Sequence, residues 1–283
     1  MFLKVFLKIG GRIMSKVWFI TGTSTGFGRQ FVEQLLLTDN KIIATARNIE
    51  AIADFKLKSP DNVHIVALDV TNRDQIQSAV QESIEIFGRI DIVVNNAGYG
   101  LFGMLEEYTD DQIRKQFDVN VFGMLDVIRA TLPVFKKQKS GHYVNISSFL
   151  GTWSIPPYSI YAATKFAVEG FSKSMAVELA GFGIKTTIVE PSVYATEFFG
   201  HALQQTERKP EYASVYEAYN QGVSSMKIGD PAKGVKAIIE MINSENPPIH
   251  FPVGSFASYS IRDAFAKRIE EIAAWEKLSL DAD

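Results

Sequence analysis

A short apolar strand that runs straight into a glycine-rich turn and a helix constrains this chain more than any other feature. The run Lys16–Ile20 is β-branched and aromatic and ends at Thr21-Gly22, which is typical of a buried parallel strand. Glycines follow at positions 22, 26 and 28, and apolar residues then recur at helical spacing. Because free backbone N–H groups and the helix dipole point at such a turn, the three elements predict a phosphate-binding site. A plain strand-to-helix connection is the alternative reading.

Strands and helices alternate along the rest of the chain. Six further apolar runs are predicted to be strands: Lys41–Ala46, Val63–Leu68, Ile90–Val94, Tyr143–Ile146, Thr186–Glu190 and Ile249–Val253. Long helices are predicted over Asp110–Lys137 and Tyr161–Ala180. This alternation predicts an α/β fold, namely a single-domain Rossmann-type, doubly wound parallel sheet of about seven strands with helices on both faces.

The composition excludes several functions. The net charge of -3 and the pI near 5.9 provide no basic field for nucleic acid. The absence of cysteine excludes disulfides, thiolate metal sites and a Cys nucleophile, and it fits a cytoplasmic protein. The four histidines are scattered, so no metal site is predicted, and no segment is long and apolar enough to span a membrane.

One domain is predicted, because no repeat, low-complexity tract or linker interrupts the chain. Residues 1–14 are apolar with interleaved cations and are interpreted as an extension outside the fold, with a role at a membrane surface as the alternative. Residues 15–283 form the predicted domain. Within it, residues 192–229 lose their periodicity, which predicts a substrate-binding loop or lid.

The end of the second predicted strand indicates which dinucleotide would bind. An acidic residue about 20 positions past the glycines binds the ribose 2′-OH of NAD, whereas an arginine there suits the 2′-phosphate of NADP. This chain has Ala46-Arg47 and no carboxylate at that point, so NADP is favoured over NAD. A solvated surface arginine is the alternative.

Tyr161 and Lys165 lie one helical turn apart, so their side chains share one face of the predicted helix. A nearby ammonium favours the phenolate and lowers the pKa of a tyrosine, which makes it a usable acid or base near neutral pH. Ser148, at the carboxyl end of the preceding strand, is placed to donate a hydrogen bond to the same reacting oxygen.

Amide side chains indicate where the ligand crevice lies. Asn95-Asn96-Ala97-Gly98 follows the fourth predicted strand, at the edge where open α/β sheets bind ligands, although Asn and Gly are also ordinary turn residues. Asn120 is in the middle of a predicted helix, where Asn is unfavourable, so its amide is expected to have a buried partner.

Taken in order, these motifs resemble the short-chain dehydrogenase/reductase superfamily in its compact single-domain branch. The resemblance covers about Val17 to Val253 and also includes Asp69-Val70 and the segment from Pro191 to Thr196. Within the superfamily the chain looks most like the hydroxysteroid and retinol dehydrogenases. It departs from the pattern at Ser192, where glycine is usual, and at Thr25, where many NADP-preferring members have a basic residue.

The resemblance implies roles for individual residues. Tyr161 would be the acid/base, Lys165 would hold the nicotinamide ribose and lower the pKa of Tyr161, and Ser148 would orient the carbonyl. Asn120 would support a water chain from Lys165 to solvent. The implied cofactor-binding residues are Gly22, Ser24, Gly26, Phe27, Gly28, Arg47, Asp69, Val70, Asn96, Ala97, Gly98, Tyr161, Lys165, Pro191, Val193 and Thr196. The residues expected on the substrate side are Ser148, Phe149, Trp153, Tyr158, Tyr161, Tyr194 and Phe198.

The implied function is an NADP-dependent oxidoreductase that transfers a hydride between the nicotinamide and a lipophilic ketone, aldehyde or secondary alcohol. The mostly apolar and aromatic residues of the substrate side favour such a substrate. The alternative is a non-catalytic NADP-binding sensor or scaffold, which is disfavoured because both Tyr161 and Lys165 are present. Apolar faces on the two long helices predict a homodimer or homotetramer.

Overall fold

Seven parallel strands form one sheet at the centre of the computed structural model, which describes residues 15–199, 203–224 and 226–282. The strands of this sheet and of a small second sheet are β1 (Val17–Ile20), β2 (Lys41–Ala46), β3 (Val63–Ala67), β4 (Ile92–Asn95), β5 (Gly100–Phe102), β6 (Gly141–Ile146), β7 (Ile184–Pro191), β8 (Leu203–Gln205) and β9 (His250–Val253). The large sheet has the order β3-β2-β1-β4-β6-β7-β9, and each neighbouring pair is parallel. The predicted extension, residues 1–14, lies outside the described residues.

Helices cover both faces of this sheet. They are α1 (Gly26–Leu35), α2 (Ala53–Lys58), α3 (Arg73–Phe87), α4 (Asp110–Phe117), α5 (Met124–Gln138), α6 (Ser159–Ala180), α7 (Ala213–Ser224), α8 (Pro231–Ile242) and α9 (Ser255–Leu280). Side chains alternate along β1: Trp18 and Ile20 pack with α1 and α8, whereas Phe19 packs with α3, α5 and α6. The predicted doubly wound α/β fold is confirmed.

The predicted strands agree closely with the observed ones. β2 matches its prediction residue for residue, and the others differ by one or two residues at an end. In the described part of the chain, no helix combines the length and the apolar character that a membrane span requires.

The predicted single helix over Asp110–Lys137 was wrong in its middle. The structure has α4 and α5 joined by a wider π-helical segment, Asp118–Gly123, which includes Asn120. A π turn accommodates an extra residue in a helix and often occurs at functional sites. Sequence periodicity does not detect it, because the apolar residues on either side still point to the core.

The region predicted as a loop, residues 192–229, contains regular structure among its described residues. β8 pairs in parallel with β5, and α7 packs its aromatic side chains on the substrate side of the molecule. Positions 200–202 and 225 of this region lie outside the described residues. α7 escaped prediction because two of its inward residues, Tyr216 and Tyr219, are tyrosines, whose polar hydroxyls weaken the apolar periodicity.

Two leucines at the end of α1 provide a matched test of the core packing. Leu35 is fully buried in the cluster between α1, α8 and the sheet, whereas Leu37, two residues on, is 85 % exposed. We expect Leu35→Ala to lower the free energy of unfolding by about 2–5 kcal/mol, because it leaves a cavity. Leu37→Ala should change it by less than about 0.5 kcal/mol. Urea unfolding of both variants measures the difference, and similar losses for both would contradict the packing described here.

Candidate active site

A cavity of about 980 Å³ opens at the carboxyl ends of the parallel strands. It extends from the glycine turn after β1, past the ends of β2, β4, β6 and β7, to aromatic residues near α7. The carboxyl edge of an open α/β sheet is where such folds bind ligands. All the residues predicted for the cofactor other than Gly28 are among the described residues that line it.

Two positions of the glycine turn have no space for a side chain. Gly22 has a φ of 71°, and a Cβ there would come within 2.9 Å of the Cα of Ala97. A Cβ on Gly28 would come within 2.2 Å of the carbonyl oxygen of Gly22. No side chain caps the start of α1, and its first turn has no acidic residue. The arrangement leaves the helix N-terminus suited to an anion.

Asn96 holds this turn in place. Its side-chain amide donates hydrogen bonds to the carbonyl oxygens of Thr21 (3.0 Å) and Gly22 (2.9 Å). In return, the Thr21 hydroxyl accepts hydrogen bonds from the backbone N–H groups of Asn96 and Ala97, both at 3.0 Å. These hydrogen bonds use the side-chain N–H₂ group of Asn96. Asn96 therefore holds the turn in position and does not offer that group to a ligand.

Arg47 lies at the end of β2 with its side chain exposed at the rim of the cavity. Among the described residues it forms no ion pair, so its guanidinium is available to an anionic ligand. Asp69 lies beyond β3, and its carboxylate accepts hydrogen bonds from the backbone N–H (2.9 Å) and the hydroxyl (2.8 Å) of Thr71. Thr71 also lines the cavity and was not predicted.

The Tyr161 and Lys165 side chains meet below the end of β6. The Lys165 ammonium donates a hydrogen bond to the carbonyl oxygen of Ile146 (2.9 Å), and its Nζ lies 5.5 Å from the centroid of the Tyr161 ring. Ser148 lies beside Tyr161, since both side chains line the cavity and the Ser148 hydroxyl is close enough to lower the pKa of Tyr161. Ser148 is held in turn by the backbone N–H of Leu150, which donates to its Oγ at 3.1 Å. The structure thus brings the three predicted side chains together.

Burial controls the charges of this pair. It raises the pKa of Tyr161 above its ordinary value, and the nearby Ser148 hydroxyl opposes that rise. Burial lowers the pKa of Lys165 to about 8, while the carboxylate of Glu169 opposes that fall. The Lys165 charge was expected to lower the pKa of Tyr161, but in this structure that pKa is raised, with burial as the largest cause.

Asn120 has buried partners, as expected. Its amide N–H₂ donates to the carbonyl oxygen of Tyr99 (3.0 Å) and to the Thr164 hydroxyl (3.3 Å), and its Oδ1 accepts from the backbone N–H of Tyr99 (3.1 Å). Asn120 therefore connects the π-helical segment to α6, through Thr164, which lies between Tyr161 and Lys165 in the chain. Through Tyr99 it also connects that segment to the residues after β4.

A second set of ionisable residues lies behind Lys165 and was not predicted. Glu169 follows Lys165 by one turn of α6, and its Oε2 lies 3.4 Å from the Nδ1 of His250, which is 3.8 Å from the Oε2 of Glu190. Burial raises the pKa of Glu169, and burial together with Glu169 raises the pKa of Glu190 to about 8. The signal in the sequence was a glutamate at the end of a predicted buried strand, Thr186–Glu190.

The substrate side of the cavity is aromatic. Phe149, Tyr158 and Phe198 line it as predicted, and the rings of Tyr161 and Phe198 lie 5.3 Å apart. Further residues that line this side were not predicted: Leu150, Gln204, Tyr219, Val223 and Met226. Three of these belong to α7 or follow it, so the lid helix forms part of the cavity wall.

Two residues predicted on the substrate side make other contacts as well. Trp153 packs against Phe149, with ring centroids 5.7 Å apart, and is not among the described residues that line the cavity. Tyr194 lines the cavity, but its ring packs edge-on against Phe27, with centroids 4.9 Å apart, in the core cluster of α1 and α8 rather than in the aromatic cluster around Tyr161. Glycines in α8 and in the segment before it leave room for this ring, since a Cβ on Gly234 would come within 2.7 Å of Tyr194.

Comparison with known proteins connects this geometry to a family. A family model described as short chain dehydrogenase matches residues 16–207. The chain is 35 % identical to oxidoreductase BOA17 of Botryotinia fuckeliana over 275 residues, which is 94 % of this chain and 99 % of that protein. It is 32 % identical to a 3-ketodihydrosphingosine reductase of Bacteroides thetaiotaomicron (83 % of this chain, 86 % of that protein). It is also 32 % identical to human retinol dehydrogenase 8 (81 % and 78 %).

Solved structures give the same result. A short-chain dehydrogenase from Streptomyces avermitilis superposes with a TM-score of 0.89 at 38 % identity, covering 95 % of this chain and 99 % of that one. ElxO with NADP bound superposes with a TM-score of 0.70 at 28 % identity (85 % and 97 %). A dehydrogenase from Burkholderia phymatum in complex with NAD superposes with a TM-score of 0.75 at 25 % identity (88 % and 92 %).

The raised pKa of Glu190 has a consequence for stability. Since the folded protein holds this proton up to about pH 8 and the unfolded chain releases it near 4.5, the free energy of unfolding should fall as the pH rises between those values. Glu190→Gln, which mimics the protonated acid, should remove most of that fall, which is roughly 4 kcal/mol between pH 5 and pH 8.5. Chemical denaturation of both proteins at pH 5 and pH 8.5 measures it. Equal pH dependence in the two proteins would mean that Glu190 is ionised in the folded state.

Proposed function

This chain belongs to the short-chain dehydrogenase family and is an NAD(P)-dependent oxidoreductase, and we propose that it uses NADP to interconvert lipophilic carbonyl compounds and their alcohols. The observation that carries the proposal is that Ser148, Tyr161 and the buried Lys165 line the same cavity as the glycine turn. No other arrangement of the described residues places an acid/base next to a dinucleotide site.

The residues of the turn and rim fit NADP. The turn keeps side chains away from the N-terminus of α1, which suits the pyrophosphate. Arg47 presents a guanidinium at the end of β2, where the 2′-phosphate would lie. When bound, the cofactor supplies or accepts the hydride. ElxO, a structural neighbour, binds NADP, while the Burkholderia phymatum neighbour binds NAD, so Arg47 is the main support for NADP.

The protein side of the chemistry follows from burial. A raised pKa keeps the Tyr161 hydroxyl protonated near neutral pH, ready to give its proton to a carbonyl oxygen. Ser148 would donate a hydrogen bond to the same oxygen, and the Lys165 ammonium would stabilise the phenolate left behind. Asn120 would position the water through which Tyr161 regains its proton. In the reverse direction the same groups would take the proton from an alcohol.

The aromatic wall of the cavity supports a lipophilic substrate. Phe149, Phe198, Tyr158 and Tyr219 surround the space next to Tyr161, and α7 covers it as a lid. Two relatives at 32 % identity, the 3-ketodihydrosphingosine reductase and retinol dehydrogenase 8, are named for lipophilic substrates. We propose the same chemical class for this protein. A cytoplasmic location stays a prediction of the sequence.

We also propose that the protein is a homo-oligomer. Exposed apolar side chains lie on the helices for which this was predicted: Phe122 in the π-helical segment, and Phe166 and Val177 on α6, the last being 78 % exposed. Apolar surface of this kind usually marks an interaction site.

Removal of the Tyr161 hydroxyl tests whether the protein is an enzyme or a cofactor-binding sensor. Tyr161→Phe should lower kcat about 10²- to 10⁴-fold, because it deletes the acid/base. Its Kd for NADPH should stay within about threefold, because the ring and Lys165 remain. Tyr158→Phe is the matched control, since its hydroxyl bonds to that of Tyr219 (2.8 Å) rather than to Ser148. Steady-state kinetics with lipophilic ketones and fluorescence titration give both quantities. Full activity in Tyr161→Phe would disprove the assigned role.

Arg47→Ala tests the choice of cofactor. Loss of a charge-assisted contact to the 2′-phosphate should weaken NADPH binding by about 10- to 100-fold and leave NADH binding nearly unchanged. Arg129→Ala, on the outside of α5 with its side chain 76 % exposed, controls for the loss of one positive charge. Titrations of the wild type and both variants with NADPH and with NADH, followed by tryptophan fluorescence, measure the six constants. A wild-type preference for NADH would overturn the NADP assignment.

A further inference from the structure

The second half of α9 projects from the protein. Ala257 and Ile261 anchor its first turns in the aromatic cluster on the substrate side. From Phe265 to Leu280, every residue is exposed. A helical segment of this length is marginal in water when it packs against nothing.

One face of this projecting segment is apolar. It is formed by Phe265 (51 % exposed), Ile269 (66 %), Ile272 (60 %) and Trp275 (69 %), which we call the α9 stripe. The spacings of four, three and three residues place them on one side of the helix, continuing the side that Ala257 and Ile261 bury. Four large apolar side chains in one line on a solvated helix indicate a contact surface.

The charges on the helix are segregated along its length. Residues 262–268 contain three cations and one anion, whereas residues 270–282 contain four anions and one cation. Arg268 and Glu276 lie within the angular range of the stripe, and neither has an ion-pair partner among the described residues. An antiparallel copy of the same helix would bring the basic part of each against the acidic part of the other. A parallel copy would bring like charges together.

We propose that the α9 stripe binds the α9 stripe of a second copy of this chain, antiparallel, around a two-fold axis at Ile272. In that register Ile272 meets Ile272, Ile269 meets Trp275, and Arg268 of each copy faces Glu276 of the other. The interface is isologous, since it uses the same surface twice. A membrane surface fits less well, because helices that bind it are rich in Lys and Arg, whereas here cations and anions nearly balance. The proposal does not depend on the proposed activity.

Exchange of the two charges tests the register. Arg268→Glu puts Glu against Glu twice in the dimer, and Glu276→Arg puts Arg against Arg twice, so each should weaken association at least about tenfold. The double variant Arg268→Glu/Glu276→Arg restores both pairs within a homodimer. An equimolar mixture of the two single variants should restore them between chains. Sedimentation velocity at micromolar concentration, with circular dichroism to check folding, provides the masses.

The expected result is that each single variant has half the mass of the wild-type protein, and that the double variant and the mixture recover it. Halving is expected whether the wild type is a dimer through α9 alone or a tetramer that also associates through other helices. A monomeric wild type, or single variants that keep the wild-type mass, would overturn the proposal. Single variants that dissociate without recovery in the double variant would overturn the antiparallel register.

A single cysteine provides an independent readout, because the chain has none of its own. Ile272→Cys places one thiol on the two-fold axis, where mild oxidation should give a covalent dimer in most of the protein. Ala274→Cys is the matched control, since it is about 200° further around the helix and faces away from the stripe. Equal cross-linking of the two variants, or none in Ile272→Cys, would contradict the proposed contact.

Discussion

Parallel pairing of β1, β4 and β6 is the constraint on which the site depends. Because these strands run in one direction, their last residues, Ile20, Asn95 and Ile146, reach the same edge of the sheet. Backbone groups beyond that edge have no further strand to pair with, and buried ones must find other partners. Asn96 satisfies the carbonyls of the glycine turn, and Lys165 satisfies that of Ile146. The side chains that complete the hydrogen bonding at the carboxyl ends of these strands therefore also hold the glycine turn and lie beside Tyr161, the proposed acid/base.

The electrostatics of the site follow from how deeply these groups are buried. Removing water raises the pKa of Tyr161 and lowers that of Lys165, so both neutral forms gain relative to the charged ones. Glu169, one turn from Lys165, opposes the loss of the Lys165 charge, and it in turn raises the pKa of Glu190. His250 contacts both carboxylates and is partly exposed. A chain of ionisable groups thus connects the buried lysine with the surface at β9, on the side of α6 away from Asn120.

The substrate side is assembled from the most distant parts of the sequence. Phe149 and Tyr158 come from the approach to α6, Phe198 and Tyr219 from the lid, and Ala257 and Ile261 from the start of α9. Glu107 holds α7 and the segment before it in place, since it accepts hydrogen bonds from the Tyr216 hydroxyl and from the Thr206 hydroxyl (3.1 Å). Because α9 contributes both to this cluster and to the proposed contact between copies, association would stabilise the aromatic cluster that borders the cavity.

The sequence by itself determined the parallel sheet, the glycine turn and the pairing of Tyr161 with Lys165. Each of these depends on residues close in the chain: apolar periodicity, glycine spacing, or one turn of a helix. Tertiary structure alone decided that Trp153 packs behind Phe149, that Tyr194 turns towards Phe27, and that Glu169, Glu190 and His250 meet. It also decided that the region predicted as a loop contains a helix and that burial raises the pKa of Tyr161. These outcomes depend on contacts between residues far apart in the chain, and on how much water those contacts exclude, neither of which local spacing encodes.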